Sequence, residues 1–218
     1  NAPIAFTDIS DDQFGGDTNN DGDESSPHLA DWSSITIANG AYAKLSNCHF
    51  RFGGRAGSNK GALTISDSID ISHSEFYRNS IGLFVKNSGI AHIDSSSFLN
   101  NASGVTKTGG NFTIKHSNLV DNSSLAIENT TTDTIDAQLN WWGAPSGPYH
   151  STNEEGQGNA VSDYVLFDPF LFQEVEPTDT TVSSACPDFD IILLTQSDVN
   201  SFVQQYSTLC DSIFGSLV

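Results

Sequence analysis

The sequence predicts an all-β solenoid built from short parallel strands stacked coil upon coil, and three observations carry that expectation. First, five segments repeat one pattern at a step of roughly 21 to 26 residues, an interval that marks stacked repeats rather than an ordinary globular fold. The rows are Ala43, Leu45, Cys48, Phe50; Ile69, Ile71, Ser74, Phe76; Ala91, Ile93, Ser96, Phe98; Phe112, Ile114, Ser117, Leu119; and Ile135, Ala137, Asn140, Trp142. Second, a column of Asn79, Asn101 and Asn122, with Gly53 in the first row, follows the large apolar position by three residues. Third, the repeat stops at Asn140-Trp141-Trp142-Gly143-Ala144-Pro145-Ser146-Gly147-Pro148, where bulky rings and a Gly and Pro series end the strand register.

Each row has a physical reading. A short strand stacked on its equivalent in the next coil pairs its backbone groups at a spacing of about 4.8 Å. Phe76, Phe98 and Leu119 then form one interior stack, and Ile71, Ile93 and Ile114 another. The hydroxyls of Ser74, Ser96 and Ser117 can bond along the stack or to the bend backbone. Asparagine tolerates left-handed backbone and bonds to its own turn, so Asn79, Asn101 and Asn122 form a structural ladder at a bend repeated once per coil. No coil buries its apolar face alone, and stability is a sum over neighbours.

The remaining elements follow in order. Pro3 to Ile9 alternates as a half-buried strand does. Residues 11–31 are a polar, carboxylate-rich loop inserted between two strands of the first coil, after which Trp32 to Ile37 resumes the strand pattern. A polar loop from Tyr149 to Ala160 leads to Val161 to Leu171, an apolar stretch expected to pack back on the last coil. The solenoid is thus expected over 1–173 and a Thr, Ser, Pro and acid-rich linker over 174–185. A small strand-helix segment is expected over 186–218, with Phe189 to Leu194 as strand and Thr195 and Asp198 capping a helix.

With 27 acidic residues against 8 Lys and Arg, the formal charge is -19, which argues against nucleic acid as a partner. No run approaches the roughly eighteen apolar residues a membrane helix needs, so membrane insertion is not expected. The chain begins without Met and reads as a mature or excised segment. Three cysteines are present: Cys48 in the repeat, and Cys186 and Cys210, which are either bridged, for about 3 kcal/mol by loop-closure entropy, or two buried thiols.

The acidic loop carries the one metal-like constellation. Asp17, Asn19, Asp21 and Asp23 place oxygen donors at every second residue, with Gly22 at the sharp turn, as the first half of a Ca²⁺-wrapping loop does. His28 stands where such a loop carries its bidentate Glu, so Asp31, Asp12 or Asp8 is required to complete the shell. The expected role of calcium is structural. The basic residues Arg51, Arg78, Lys86, Lys107 and Lys115 are scattered over coils and columns rather than gathered on one face. His73 and His116 share a column two coils apart, about 9 to 10 Å and too far for one ion. Four N-glycosylation sequons begin at Asn101, Asn111, Asn122 and Asn129, two of them in the bend column.

The Asn column, the terminating Asn140-Trp141-Trp142-Gly143 with Ser146-Gly147-Pro148, and Asp168-Pro169-Phe170-Leu171 together resemble bacterial secreted proteins of the right-handed parallel β-helix, pectate-lyase-like architecture. Phe6-Thr7-Asp8-Ile9, the Gly15 to Gly22 run and Asp31-Trp32 look like a segment recurring in large surface proteins of that group. Separately, Ile191 to Val218 is similar to the first repeat of leucine-rich or receptor-L-like modules of bacterial surface proteins. The first resemblance implies a right-handed parallel β-helix over roughly 1–171 and leaves function open, because that fold carries lyases, hydrolases, adhesins and passive stalks. The leading expectation is a non-enzymatic extracellular or cell-surface module, structural or adhesive and calcium-stabilised. It would belong to a longer surface protein or to a fibre whose subunits join head to tail or bind other surface proteins. A carbohydrate-active lyase or hydrolase, and a glycan-binding module using Trp141 or Trp142, are the competing expectations.

Overall fold

A computed structural model describes residues 3–55 and 59–175. The linker beyond Val175, the strand-helix segment of 186–218 and the pairing of Cys186 with Cys210 therefore lie outside the described residues. Strand β1 (Ile4–Phe6) precedes a first coil of β2 (Ile35–Ile37), β3 (Tyr42–Ser46) and β4 (Cys48–Arg51). The second coil is β5 (Leu63–Ile65), β6 (Ser68–Ser72) and β7 (Glu75–Tyr77), and the third is β8 (Ile81–Val85), β9 (Ile90–Asp94) and β10 (Ser97–Leu99). The fourth is β11 (Ser103–Lys107), β12 (Asn111–Lys115) and β13 (Asn118–Val120), followed by β14 (Ile127–Asn129), β15 (Ile135–Asp136) and β16 (Val165–Leu166).

These strands form three parallel sheets, ordered β1-β4-β7-β10-β13, β14-β11-β8-β5-β2 and β16-β15-β12-β9-β6-β3. The fold is an all-β parallel solenoid of about four turns. The repeat rows are its register. Ala43 pairs Ile69, Ile69 pairs Ala91 and Ala91 pairs Phe112, while Phe50, Phe76, Phe98 and Leu119 pair in sequence on the neighbouring sheet. The interior rings lie nearly coplanar, with Phe50 and Phe76 at 4.8 Å and 6° and Phe76 and Phe98 at 4.5 Å and 2°. Coil spacing sets that distance, because residues in parallel register stack at the strand-to-strand repeat.

The third face, β2, β5, β8, β11 and β14, has no row in the sequence pattern. Its inward columns run Ile35, Leu63, Leu83, Val105, Ile127 and Ile37, Ile65, Val85, Lys107, Asn129. The second column ends in a lysine and an asparagine, and corner segments of unequal length precede each strand, so no fixed spacing advertises the face.

Corner geometry refines one expectation. The ladder asparagines themselves do not take the left-handed conformation; the residue before each does, at Arg78, Asn100 and Asp121, as does Phe52 before Gly53, with φ from 51° to 61°. The other strand-to-strand corner repeats the device at Asn47, His73, Ser95 and His116, with φ from 47° to 56°. One left-handed residue turns the chain, and the residue after it points its side chain inward along the stack.

The two ends of the core differ. Val165, Phe167, Phe170 and Leu171 are buried against the last coil, as the apolar pattern of 161–171 predicts, and Trp142 is fully buried beneath them. At the opposite end Phe6, Ile35, Ile37, Ala43 and Leu45 are only partly buried.

Candidate functional site

Two internal ladders use up much of the polar chemistry of the repeat. In one, the N–H of Gly53 donates to Asn79 Oδ1, that of Asn79 to Asn101 Oδ1, that of Asn101 to Asn122 Oδ1 and that of Asn122 to Asn159 Oδ1, all within 3.1 Å. The amides of Asn79, Asn101 and Asn122 also donate to the carbonyls of Phe50, Phe76 and Phe98, and that of Asn159 to the Asn122 carbonyl. In the other, Ser74, Ser96 and Ser117 each accept from the residue one coil back, and Asn140 closes the series. Asn159 is a ladder member the sequence pattern misses, because a long loop separates it from Asn122. Cys48 holds the first position of the serine column, its thiol buried and pushed up by desolvation.

The acidic loop is clamped to the outer face of the β1–β4–β7 sheet. Asp11 and Arg51, both nearly buried, approach to 3.6 Å, and Thr7 donates to Asp11 Oδ2 at 2.6 Å. The Arg51 guanidinium lies 4.8 to 5.3 Å from the ring centres of Phe14, Phe52 and Tyr77. The indole of Trp32 donates to the Arg51 carbonyl at 2.6 Å. In the sequence Arg51 is one of several scattered cations; its partner Asp11 is forty residues away and no spacing rule links them.

Within the loop the expected calcium residues divide. Asp17 folds back as a turn cap, its two oxygens accepting from the N–H groups of Asp21 and Gly22 at 3.0 and 2.9 Å. Asn19 donates to Asp21 Oδ2 and to Ser25, which itself donates to Asp21 Oδ2. Three oxygens are shielded from solvent without a hydrogen-bond partner: Asp12 Oδ1, Asn19 Oδ1 and Asp21 Oδ1. The Asp12 carboxyl is pushed above the usual range, first by desolvation and then by Asp17, Asp21, Asp23 and Asp11. Asp23 therefore joins this group through its charge. Asp31 stands on an open groove of about 720 Å³ beside the loop, which Asp8, Asn19, Glu24 and His28 also line, and it accepts from the His28 N–H. Among the described residues no three His, Cys, Asp or Glu side chains converge closely enough to hold an ion by themselves. A hard cation in this loop has to draw on Asn19 and main-chain carbonyls too, donors that Ca²⁺ accepts readily.

Other charged groups have assigned contacts. Lys107 is fully buried in the third-face column and donates to Thr131, with Asp133 at 3.8 Å. Lys115 pairs with Asp136 at 3.0 Å, and Arg78 lies over Tyr77. His116 bonds Asp94 at 2.8 Å and, as the leading cause, holds that carboxyl below the usual range against the opposing effect of burial. Trp142 plugs the core, while Trp141 is half-buried. Comparisons with protein-family models, curated proteins and solved structures return no significant match. The strand pairing itself therefore establishes the fold.

Proposed function

We propose that this chain is a calcium-stabilised structural or adhesive module, a stiff rod acting outside the cell or at its surface. On this reading it is kin to the bacterial secreted and surface proteins of the parallel β-helix group. The observation that carries the reading is the trio of shielded, unpartnered oxygens on Asp12, Asn19 and Asp21. Unpartnered buried acceptors are costly, about 1–3 kcal/mol each, and a bound cation is the partner their chemistry calls for. Asp12, Asn19 and Asp21 would hold the ion first, with Asp17 and Asp23 supplying charge around it. Bound calcium would supply positive charge that neutralises mutual carboxylate repulsion.

The consequence for this chain's own residues is a stiffer clamp. Asp12 adjoins Asp11, whose approach to Arg51 fixes the loop to the sheet, so ordering the loop reinforces the first coil. The contacts of Arg51, Arg78, Lys107 and Lys115 favour this structural reading over a lyase, which needs a free base on the substrate face. Head-to-tail joining of copies, or pairing with a different surface protein, would cover the partly buried Phe6, Ile35, Ile37, Ala43 and Leu45.

The test is calorimetric. The melting temperature should rise in millimolar Ca²⁺ relative to chelator, with binding detected by titration. Identical melting curves and no heat of binding would remove calcium from the proposal.

A further inference from the structure

Four sequons are present, and the solenoid treats them differently. Asn101, Asn122 and Asn129 are 1%, 4% and 7% exposed. In each the amide nitrogen donates twice inside the molecule. Asn101 Nδ2 donates to the Phe76 carbonyl and Asn122 Oδ1, and Asn122 Nδ2 to the Phe98 carbonyl and Asn159 Oδ1. Asn129 Nδ2 donates to the carbonyls of Asp133 and Tyr164. A sugar on any of these nitrogens would remove an amide hydrogen already in use and would need space that the stack fills.

Asn111 is different in each respect. It opens β12, next to the Gly109-Gly110 corner, and its side chain is exposed on the outer face. Its Oδ1 accepts from the N–H of Phe112 at 2.9 Å, and its amide nitrogen makes no hydrogen bond to a described residue. Thr113, the hydroxyl residue of the sequon, lies on the same face by the two-residue period of a strand. One coil away Asn111 pairs with Ile90, and two coils further that outward column ends in Tyr42, side chains 46% and 64% exposed. Ser68 stands between them, so an oligosaccharide rooted at Asn111 lies over an open outer column of Ile90, Ser68 and Tyr42.

We propose that Asn111 is the acceptor of an N-linked oligosaccharide, and that it is the one of the four sequons at which a sugar is compatible with the folded solenoid. The bond formed is between Asn111 Nδ2 and the anomeric carbon of the first sugar; the bond broken joins that carbon to the diphosphate of a lipid-diphosphate-linked oligosaccharide, and the lipid diphosphate departs with the charge balanced by the proton the amide gives up.

The test is secretion of the chain through a eukaryotic secretory pathway, followed by intact-mass analysis before and after endoglycosidase. The folded, secreted protein is expected to carry one glycan, lost in both Asn111→Gln and Thr113→Ala and retained in Thr113→Ser. Glycan-free secreted protein would overturn the proposal, and so would sugar mapped to Asn101, Asn122 or Asn129 in folded material. Because Thr113→Ala leaves Asn111 in place, its loss of glycan separates sequon recognition from damage at the acceptor position. Neither result depends on calcium.

Discussion

Asn101 makes four hydrogen bonds with one buried side chain, accepting twice from Asn79 and donating to the Phe76 carbonyl and to Asn122. Replacing it by alanine strands those partners inside the stack, at about 1–3 kcal/mol for each group left unsatisfied. Asn101→Ala should therefore lower the unfolding free energy by about 3 kcal/mol or more, read from the denaturant midpoint. Lys107 is the opposite case. It occupies a column that Ile37, Ile65 and Val85 fill with hydrocarbon, and its acidic neighbour Asp133 is largely exposed and keeps its hydration without it. Lys107→Met, which keeps the volume and removes the buried ammonium, should raise stability by about 1 kcal/mol, whereas Lys107→Ala should lower it by about 2 kcal/mol or more through cavity formation. A loss on both substitutions would show that the ammonium itself is stabilising.

The acidic loop is the element whose behaviour most depends on its surroundings. Asp12 has a folded-state pKa above its unfolded value, from desolvation first and from neighbouring carboxylates second. For an acid shifted upward the charged form is disfavoured by folding, so calcium-free protein should lose stability as pH rises from the unfolded pKa through the folded one. Asp12→Asn removes that penalty. At neutral pH it should raise the melting temperature in chelator and shrink the increment produced by Ca²⁺. If the substitution leaves the calcium increment intact, Asp12 is outside the shell. The loop's attachment follows from different physics, a guanidinium enclosed by Phe14, Phe52 and Tyr77 and facing Asp11.

At the scale of the whole molecule, stability is distributed along an axis. Central coils have neighbours on both sides, and Leu83, Val85, Val105 and Ile114 are fully buried. In the first coil β2 and β3 have a described neighbour on one side only, whereas β4 lies between β1 and β7, and the inward residues Ile35, Ile37, Ala43 and Leu45 are only partly covered. In a solenoid whose energetics are a sum of neighbour terms, opening should begin where one term is missing. Native-state hydrogen exchange should find the slowest amides in β8, β9, β11 and β12 and faster ones in β2 and β3. Uniform protection along the stack would contradict this, unless a partner covers the first coil.

The architecture was legible in the sequence to the extent that it is periodic. The columns through Phe76 and Phe98, Ile71 and Ile93, and Asn79 and Asn101 are coil register written at a fixed spacing, and the structure pairs them as that spacing requires. Hydrophobic periodicity determines such contacts because stacked parallel strands align equivalent residues. The oxygen-rich run from Asp17 to Asp23 was equally visible as composition. What only the tertiary structure decided lies between elements that no period relates. Examples are the closure of the asparagine ladder by Asn159, the burial of Lys107, the grip of Arg51 on Asp11, and the shielding that leaves the oxygens of Asp12, Asn19 and Asp21 without partners. Sequence fixes which residues recur; burial and partnership arise when loops of irregular length are folded against that repeat.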